Sequence, residues 1–231
     1  MRWSCLFSCS LVTLLFVFPS WAADNELSEE EQASGWQLLF NGHDHTGWKC
    51  SNGKPIATPI EDGSLLPFES GGYMITFEKP FGDFKLKCDV RMDKPYCNSG
   101  IFFRVGDLDR IPQTGLECQI ASASLTPYQS YGAIYELARP EELRIKSDPW
   151  GWHTVEITCR GPLVEVSVDG QPTTKMNYDE FTEKGRRPDG SPHKFDSAVK
   201  DFPRSGYLGF QDHGHKCWYK NIKLVELDTE N

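Results

Sequence analysis

The sequence lacks the short motifs that mark several large enzyme classes. It contains no Gly-x-Ser-x-Gly motif, which is the usual setting of a serine-hydrolase nucleophile. It has neither a P-loop nor a glycine-rich dinucleotide fingerprint, so the chain shows no means of its own to bind a nucleotide or a nicotinamide cofactor. No C-x-x-C pair occurs either, which argues against a structural zinc site.

Positive charge is also scarce. The chain has 24 Lys and Arg against 33 Asp and Glu, which gives a formal net charge of −9 at pH 7. A protein this acidic is not expected to bind nucleic acid through its phosphates, and it has no basic patch for an anionic membrane.

The apolar run near the N-terminus is too short to cross a bilayer. It extends from Leu11 to Phe18, with Arg2 before it and Ser20-Trp21-Ala22 after it. This order of a positive residue, an apolar stretch and small residues is typical of a signal peptide. We expect residues 1–22 to be removed, no membrane span in the mature chain, and export to the periplasm or the extracellular space. An uncleaved anchor is the alternative.

Six cysteines remain after that segment, and two states are open for them. An even number in an exported protein permits disulfides. However, Cys88, Cys118 and Cys159 fall on the apolar side of strand-like runs, where buried free thiols are equally plausible. The six cysteines are Cys50, Cys88, Cys97, Cys118, Cys159 and Cys217.

Residues 23–34 form an acidic leader, with a short helix expected near Ser28, and residues 35–228 show almost no helical periodicity. The segment from Phe84 to Met92 alternates apolar and charged residues, as a half-buried antiparallel strand does. Ten or more short strands at this spacing predict one all-β domain, a jelly-roll β-sandwich. The strands are predicted at 36–40, 64–68, 73–77, 84–92, 99–105, 116–120, 154–160, 163–168, 207–210 and 218–227. Residues 176–204 are interpreted as a long surface loop, or a lid.

Polar residues gather at three places in this pattern. Asp212, His213 and His215 lie between the last two predicted strands, where they can bind a ligand or simply cap a turn. Glu117 alternates with the apolar residues of its strand. Arg104 ends an apolar run nearby. Arg104 and Glu117 are either a surface ion pair or part of the concave face of the sandwich.

Several longer motifs occur in one order along nearly the whole chain, and together they resemble the 3-keto-disaccharide hydrolase family. The motifs are Trp36-Gln-Leu-Leu-Phe-Asn-Gly42, Phe81-Gly-Asp-Phe84, Asn98-Ser-Gly-Ile-Phe-Phe-Arg104, Leu116-Glu-Cys-Gln-Ile120, Tyr131-Gly-Ala-Ile-Tyr135, Trp152-His-Thr-Val155, Gly209-Phe-Gln-Asp-His-Gly214 and Trp218-Tyr-Lys-Asn-Ile222. The resemblance implies a concanavalin A-like jelly roll that acts on glycosides already oxidised to a ketone at C3. The chain departs from the family pattern at His43-Asp44-His45, where Lys-Asp-Leu is more usual.

A ketone at C3 makes the hydrogen on C2 acidic, so a base can remove it and the group at C1 can leave. This route needs a base, a positive group near the enolate oxygen and a proton donor. We predict that His213, Glu117, Arg104 and Asp212 are catalytic, with Arg104, Glu117 and His213 in one cleft. A divalent metal ion on Glu117, Asp212 and His213 is an alternative source of positive charge. The residues predicted to bind substrate are Gln119, Gln211, Trp218, Asn98 and Tyr135.

The expected ligand is an oxidised glycoside. Because the chain has no dinucleotide fingerprint, a separate sugar 3-dehydrogenase is expected to make the ketone. Two other functions are open: a non-catalytic carbohydrate-binding module on the same jelly roll, and a surface protein that binds partners through the edge of the sandwich.

Overall fold

The computed structural model describes residues 23–93, 96–122, 126–141 and 150–228. The predicted signal peptide at 1–22 lies outside these ranges. Within them, every helix is too short or too polar to cross a membrane.

The described residues form two antiparallel sheets. One has six strands in the order β1-β11-β4-β7-β8-β9, and the other has five in the order β2-β3-β10-β5-β6. The strands are β1 Gln37–Leu38, β2 Trp48–Cys50, β3 Met74–Phe77, β4 Phe84–Met92, β5 Asn98–Val105, β6 Leu116–Ala121, β7 His153–Arg160, β8 Leu163–Val168, β9 Gln171–Asn177, β10 Tyr207–Gln211 and β11 Cys217–Glu226. The fold is a jelly-roll β-sandwich, as predicted.

Alternation of side chains builds the core between the sheets. Every second residue of β4 is buried, and Phe84, Leu86 and Val90 join the central apolar cluster. The five-stranded sheet contributes Ile101 and Phe103 from β5. Because successive side chains of a strand point to opposite faces of the sheet, alternate residues enter the core and the residues between them lie on the outer face.

The acidic leader forms a short helix and is docked on the sandwich. Helix α1 spans Glu29–Ala33, and Ser28 caps its N-terminus in a capping box with Glu31. Glu31 also pairs with Lys223 of β11 at 2.7 Å. The helix predicted near Ser28 is confirmed.

One predicted strand is absent from the structure, and two strands of the structure were not predicted. The run 64–68 is not a strand, and it takes part only in isolated bridges such as the one from Leu65 to Tyr219. β2 and β9 were not predicted, because β2 has only three residues and β9 begins Gln-Pro-Thr-Thr-Lys, which shows no apolar alternation. A second helix, α2 at Ile111–Thr114, was also not predicted.

After β9 the chain runs to β10 as a long segment with two single 3₁₀ turns, Tyr178–Glu180 and Val199–Asp201. The prediction of a surface loop at 176–204 is wrong in part, because this segment contributes five buried residues to the central core: Tyr178, Phe181, Phe195, Val199 and Phe202. It is attached to the loop after β6 through Arg187. Arg187 Nε donates to the carbonyl of Glu136 at 2.8 Å, and its guanidinium lies 3.6 Å from the centre of the Tyr128 ring.

Candidate functional site

The outer face of the five-stranded sheet carries the candidate site. In β6, Leu116, Cys118 and Ile120 belong to the core, so Glu117 and Gln119 point to the other side. Glu117 is paired in register with Phe102, and Gln119 with Gly100. The prediction that Glu117 and Gln119 take the phase opposite to the apolar residues is confirmed.

Glu117 is buried at the floor of this face, with 8 % of its surface exposed. Its carboxylate lies over Gly100, in the space that a β-carbon at position 100 would occupy. No hydrogen bond to this carboxylate is present among the contacts of the described residues. Burial raises the pKa of Glu117 from 4.5 to about 8, although the charge of Lys194 acts in the opposite direction. A carboxyl group with a pKa near neutrality is suited to proton transfer.

Lys194 brings a positive charge from the long segment that follows β9. Its Nζ lies 4.3 Å from the centre of the Tyr135 ring. Partial desolvation lowers the pKa of Lys194, although the residue is exposed, while the charges of Glu117 and Glu136 partly raise it again. Lys194 acts on Glu117 through space and forms no direct ion pair with it. Lys194 thus brings part of the segment 176–204 near Glu117, although the expected shared cleft of Arg104, Glu117 and His213 does not form, and the lid stays a prediction.

Two aromatic residues flank Glu117. Backbone N–H of Tyr135 donates to the carbonyl of Glu117 at 2.9 Å, which ties the loop after β6 to that strand. Tyr73, just before β3, packs edge-on against Phe102 with ring centres 5.9 Å apart, and it is 41 % exposed. Burial raises the pKa of Tyr73 to about 12, with the charge of Glu117 adding to the shift.

Three amide side chains complete the polar set. Gln119 Nε2 donates to Asn98 Oδ1 at 2.7 Å, and Gln211 Nε2 donates to the Tyr73 hydroxyl at 2.7 Å. Gln211 Oε1 is buried and has no partner. A buried acceptor without a partner is costly unless a ligand or water supplies the donor. Asn98, Gln119, Gln211 and Tyr135 thus lie on the same sheet as Glu117 or beside it, and their role in substrate binding stays a prediction.

Arg104 does not lie in this site, so its predicted place in a shared cleft is wrong. Its side chain is fully buried and pairs with Asp83 at 2.7 Å. It also donates to the carbonyl oxygens of Gly82 and Gly161. The backbone of Arg104 has φ 51°, a left-handed conformation. This breaks the alternation of β5, so the side chain turns to Asp83 and away from the face that carries Phe102.

Asp212 and His213 follow β10, and the carboxylate of Asp212 accepts hydrogen bonds from backbone amides. One oxygen of Asp212 accepts from the amide of Gly214 at 2.9 Å and the other from that of Glu69 at 2.8 Å. Of the two roles left open for Asp212 by the sequence, ligand binding or turn capping, the structure shows turn capping. His213 is exposed, and its ring stacks on that of His215 with centres 6.5 Å apart. No contact among those of the described residues joins His213 to Glu117.

Trp218 lies on the opposite side of the sandwich from Glu117, so the prediction that both line one site is wrong. Cys217 and Tyr219 point into the core, and Trp218 consequently faces outward from the six-stranded sheet. There the guanidinium of Arg91 covers it, 4.5 Å from the ring centre. The indole N–H donates to Glu61 at 2.9 Å.

The three proposed metal ligands do not assemble. Among the described residues, no group of three His, Cys, Asp or Glu side chains is placed to hold a metal ion. Glu117 lies on the floor of the outer face, whereas the Asp212 carboxylate is occupied by the two backbone amides described above.

Sequence reasoning missed Tyr73 and Lys194. Strict alternation places Tyr73 on the same side as Ile75 and Phe77, which belong to the core side of β3. Its position after Gly71-Gly72, where a strand starts irregularly, was the available signal. Lys194 comes from a segment without periodicity, so only the tertiary fold brings it to Glu117.

A cavity of about 320 Å³ opens elsewhere, on the outer face of the six-stranded sheet. Four of its ionisable side chains form ion pairs, Lys85 with Glu156 at 3.2 Å and Lys175 with Glu165 at 2.7 Å, and the fifth, Glu141, is exposed. Glu117, by contrast, is a buried carboxylate with no ion pair, and for that reason we place the candidate site around it.

A jelly-roll sandwich with a carboxylate, amides and aromatic rings on one outer face is an architecture found among carbohydrate-active proteins. Comparison with known proteins gives the particular family. The chain belongs to the 3-keto-alpha-glucoside-1,2-lyase-like domain family, whose model matches residues 35–225. The family resemblance found in the sequence is therefore confirmed.

Individual relatives agree with this assignment. The chain is 25 % identical to the 3-keto-disaccharide hydrolase of Bacteroides thetaiotaomicron, in an alignment that covers 85 % of this chain and 80 % of the relative. A crystal structure named "putative glycosyl hydrolase" from Parabacteroides distasonis is similar with a TM-score of 0.72 and 28 % identity, covering 89 % of this chain and 100 % of the other. A galectin-like protein from Bacillus subtilis shares the fold, with a TM-score of 0.51, 14 % identity and coverage of 90 % and 96 %.

Proposed function

We propose that this protein cleaves 3-keto-glycosides, such as 3-keto-disaccharides, by removing the proton on C2 and expelling the group at C1. The observation that carries the proposal is Glu117: a buried carboxylate without a hydrogen-bond partner on the outer face of the five-stranded sheet, with a pKa of about 8. The family assignment and the name of the Bacteroides thetaiotaomicron relative support the substrate class.

In the first step, ionised Glu117 is the base that takes the proton from C2 of the sugar. The electron pair of that C–H bond moves toward C3, and the ketone oxygen becomes an enolate oxygen. Because Glu117 makes no ion pair of its own, its charge is available to the substrate. Its raised pKa increases its basicity, which favours removal of a weakly acidic carbon-bound proton.

Lys194 stabilises the enolate oxygen. Its ammonium is near enough to lower the pKa of Glu117 and forms no ion pair with it, so its charge is available to a substrate that lies against Glu117. In many enzymes, a positive charge held where negative charge develops in the transition state makes the largest contribution to the rate enhancement. In this proposal Lys194 takes the role that the sequence had assigned to Arg104.

In the second step, the enolate reforms the ketone, a double bond forms between C1 and C2, and the bond from C1 to the glycosidic oxygen breaks. The leaving oxygen takes a proton. Tyr73 is suited to donate it, because Gln211 donates to the phenolic oxygen and leaves the phenolic proton free. His213, exposed next to the Gln211 strand, is the second candidate donor. Water then adds across the double bond: its hydroxide bonds to C1, its proton restores the donor that protonated the leaving oxygen, and Glu117 returns its proton to C2, which completes hydrolysis.

The amide groups bind the sugar hydroxyls. Gln211 Oε1 can accept from a hydroxyl, and the Asn98–Gln119 pair presents a fixed acceptor and donor. Tyr73 and Tyr135 offer ring faces. None of these contacts requires the C3 ketone, so the unoxidised sugar is expected to bind without being cleaved.

Incubation of the purified protein with a 3-keto-disaccharide, followed by product analysis, tests the proposal. Glu117→Gln keeps the shape of the side chain and removes the base, so cleavage is expected to fall by roughly 10²-fold or more. Tyr73→Phe and His213→Ala separate the two candidate donors, and a chelator arm tests for a metal. Binding without cleavage in the wild type would instead indicate the carbohydrate-binding alternative.

A further inference from the structure

Cys97 and Cys217 form a pair of sulfur atoms in the core. Their Sγ atoms are 3.0 Å apart, and each residue is 1 % exposed. Cys97 directly precedes β5 of one sheet, and Cys217 is the first residue of β11 in the other sheet. Of the six described cysteines, all of which are free thiols, only these two have their sulfur atoms in contact.

We propose that Cys97 and Cys217 are a disulfide-forming pair that links the two sheets when the chain folds in an oxidising environment. A disulfide bond is about 2.0 Å long, so the sulfurs need to approach by only about 1 Å. The two residues are 120 positions apart. A link between positions so distant in sequence restricts the unfolded chain strongly, and on the chain-entropy account it stabilises the fold.

The chemistry of the pair agrees with this role. The hydrogen bond from Cys217 lowers the pKa of Cys97, despite the burial of the thiol, whereas the pKa of Cys217 is raised by Cys97 and by burial. Of the two thiols, Cys97 therefore ionises more readily, and it is the attacking thiolate while the chain folds and the pair is still accessible. It attacks a sulfur of an external disulfide and displaces one thiolate. Cys217 then attacks the mixed disulfide at Cys97 and releases the second, so the external disulfide gains two electrons as the pair loses two electrons and two protons.

The bond would hold residues that support the candidate site. Asn98 follows Cys97 directly and binds Gln119. Ser99 comes next, and its hydroxyl donates to the carbonyl of Gln211 at 2.7 Å. The predicted signal peptide would direct the chain to a compartment in which disulfides persist.

The other four cysteines serve as internal controls. Cys50 Sγ donates to the carbonyl of Ser70 at 3.2 Å, and Cys88, Cys118 and Cys159 are buried singly in the core. None of them has a sulfur partner, so we expect them to stay reduced under the same conditions.

The test is to refold the mature chain expected from Ala23 onward in a buffer of reduced and oxidised glutathione, unfold it in denaturant with a maleimide so that every free thiol is blocked, and digest without reductant. We expect linked peptides that contain Cys97 and Cys217, while Cys50, Cys88, Cys118 and Cys159 carry the maleimide. Maleimide on both Cys97 and Cys217 would overturn the proposal.

A second measurement tests the disulfide through the stability of the folded protein. In the refolded wild type, adding dithiothreitol should lower the urea concentration at the unfolding midpoint. In Cys97→Ser this reductant effect should vanish, and in Cys159→Ser it should persist. An equal midpoint with and without reductant in the wild type would contradict the linkage. Neither measurement depends on the reaction proposed for Glu117.

Discussion

The carboxylate of Glu117 occupies the space above Gly100 that any larger residue would fill. Gly100 lies within β5, and its pairing with Gln119 of β6 brings it beneath the neighbouring Glu117. The absence of a side chain at 100 thus allows a buried carboxylate to lie across the sheet face at this point. The geometry of the base depends on this one glycine.

Gly100→Ala is expected to displace the Glu117 carboxylate and to reduce cleavage of a 3-keto-disaccharide. A shift of about 1 Å in a reacting group can cost roughly 10²-fold in rate. The matched control is Gly82→Ala, where the added carbon would meet nothing nearer than Ser205 Cβ at 3.9 Å. Initial rates on both variants check this, and equal activity in Gly100→Ala and wild type would contradict the assigned position of the base.

The raised pKa of Glu117 also predicts how stability depends on pH. In the unfolded chain this carboxyl ionises near 4.5, but in the folded protein it ionises near 8. Between those values the folded state holds more protons, so the contribution of Glu117 to the free energy of unfolding is lost as the pH rises. Urea denaturation at several pH values should show wild type losing stability relative to Glu117→Gln from about pH 5 to about pH 8. Parallel curves would mean that the pKa of Glu117 is not raised.

Replacing Lys194 should change both the rate and its pH profile. Lys194→Met removes the cation beside the enolate oxygen, and we expect turnover to fall by roughly 10²-fold. Because Lys194 lowers the pKa of Glu117, its loss should also move the ascending limb of the pH–rate profile to higher pH. Lys184→Met, an exposed change in the same segment, is the control. If the ascending limb of the pH–rate profile stays at the same pH in Lys194→Met, Lys194 does not influence the pKa of Glu117.

Arg104 is expected to matter for stability and not for chemistry. Arg104→Met leaves Asp83 without its partner in a nearly buried position, where the side chains are 0 % and 11 % exposed. Breaking a buried pair in this way costs about 3–5 kcal/mol. Lys175→Met breaks an exposed pair and should cost less than about 1 kcal/mol. Chemical denaturation measures both, and a loss of turnover in folded Arg104→Met without a loss of stability would restore the catalytic role.

Local alternation was sufficient to predict the parts of the fold and site that depend on it. The period of two gave β4 with its bounds and placed Glu117 and Gln119 opposite the core. It failed at Arg104, where the left-handed backbone and the demand of Asp83 for a counter-charge override the strand pattern. It failed at Trp218 because alternation says which side of a sheet a residue takes, but not which of two sheets the strand joins. Lys194 reaches the site because the long segment that carries it is attached to the loop after β6 through Arg187, and no local sequence pattern predicts that position.

The most direct test of the account compares one disaccharide with its 3-keto derivative as substrates for wild type and Glu117→Gln. The hydrogen on C2 is acidic only beside the ketone, so wild type should cleave the 3-keto sugar and leave the parent sugar intact. Glu117→Gln, folded like the wild type, should lose cleavage of the 3-keto sugar by roughly 10²-fold or more. Cleavage of the parent sugar at a comparable rate, or full activity in Glu117→Gln, would contradict proton abstraction by Glu117.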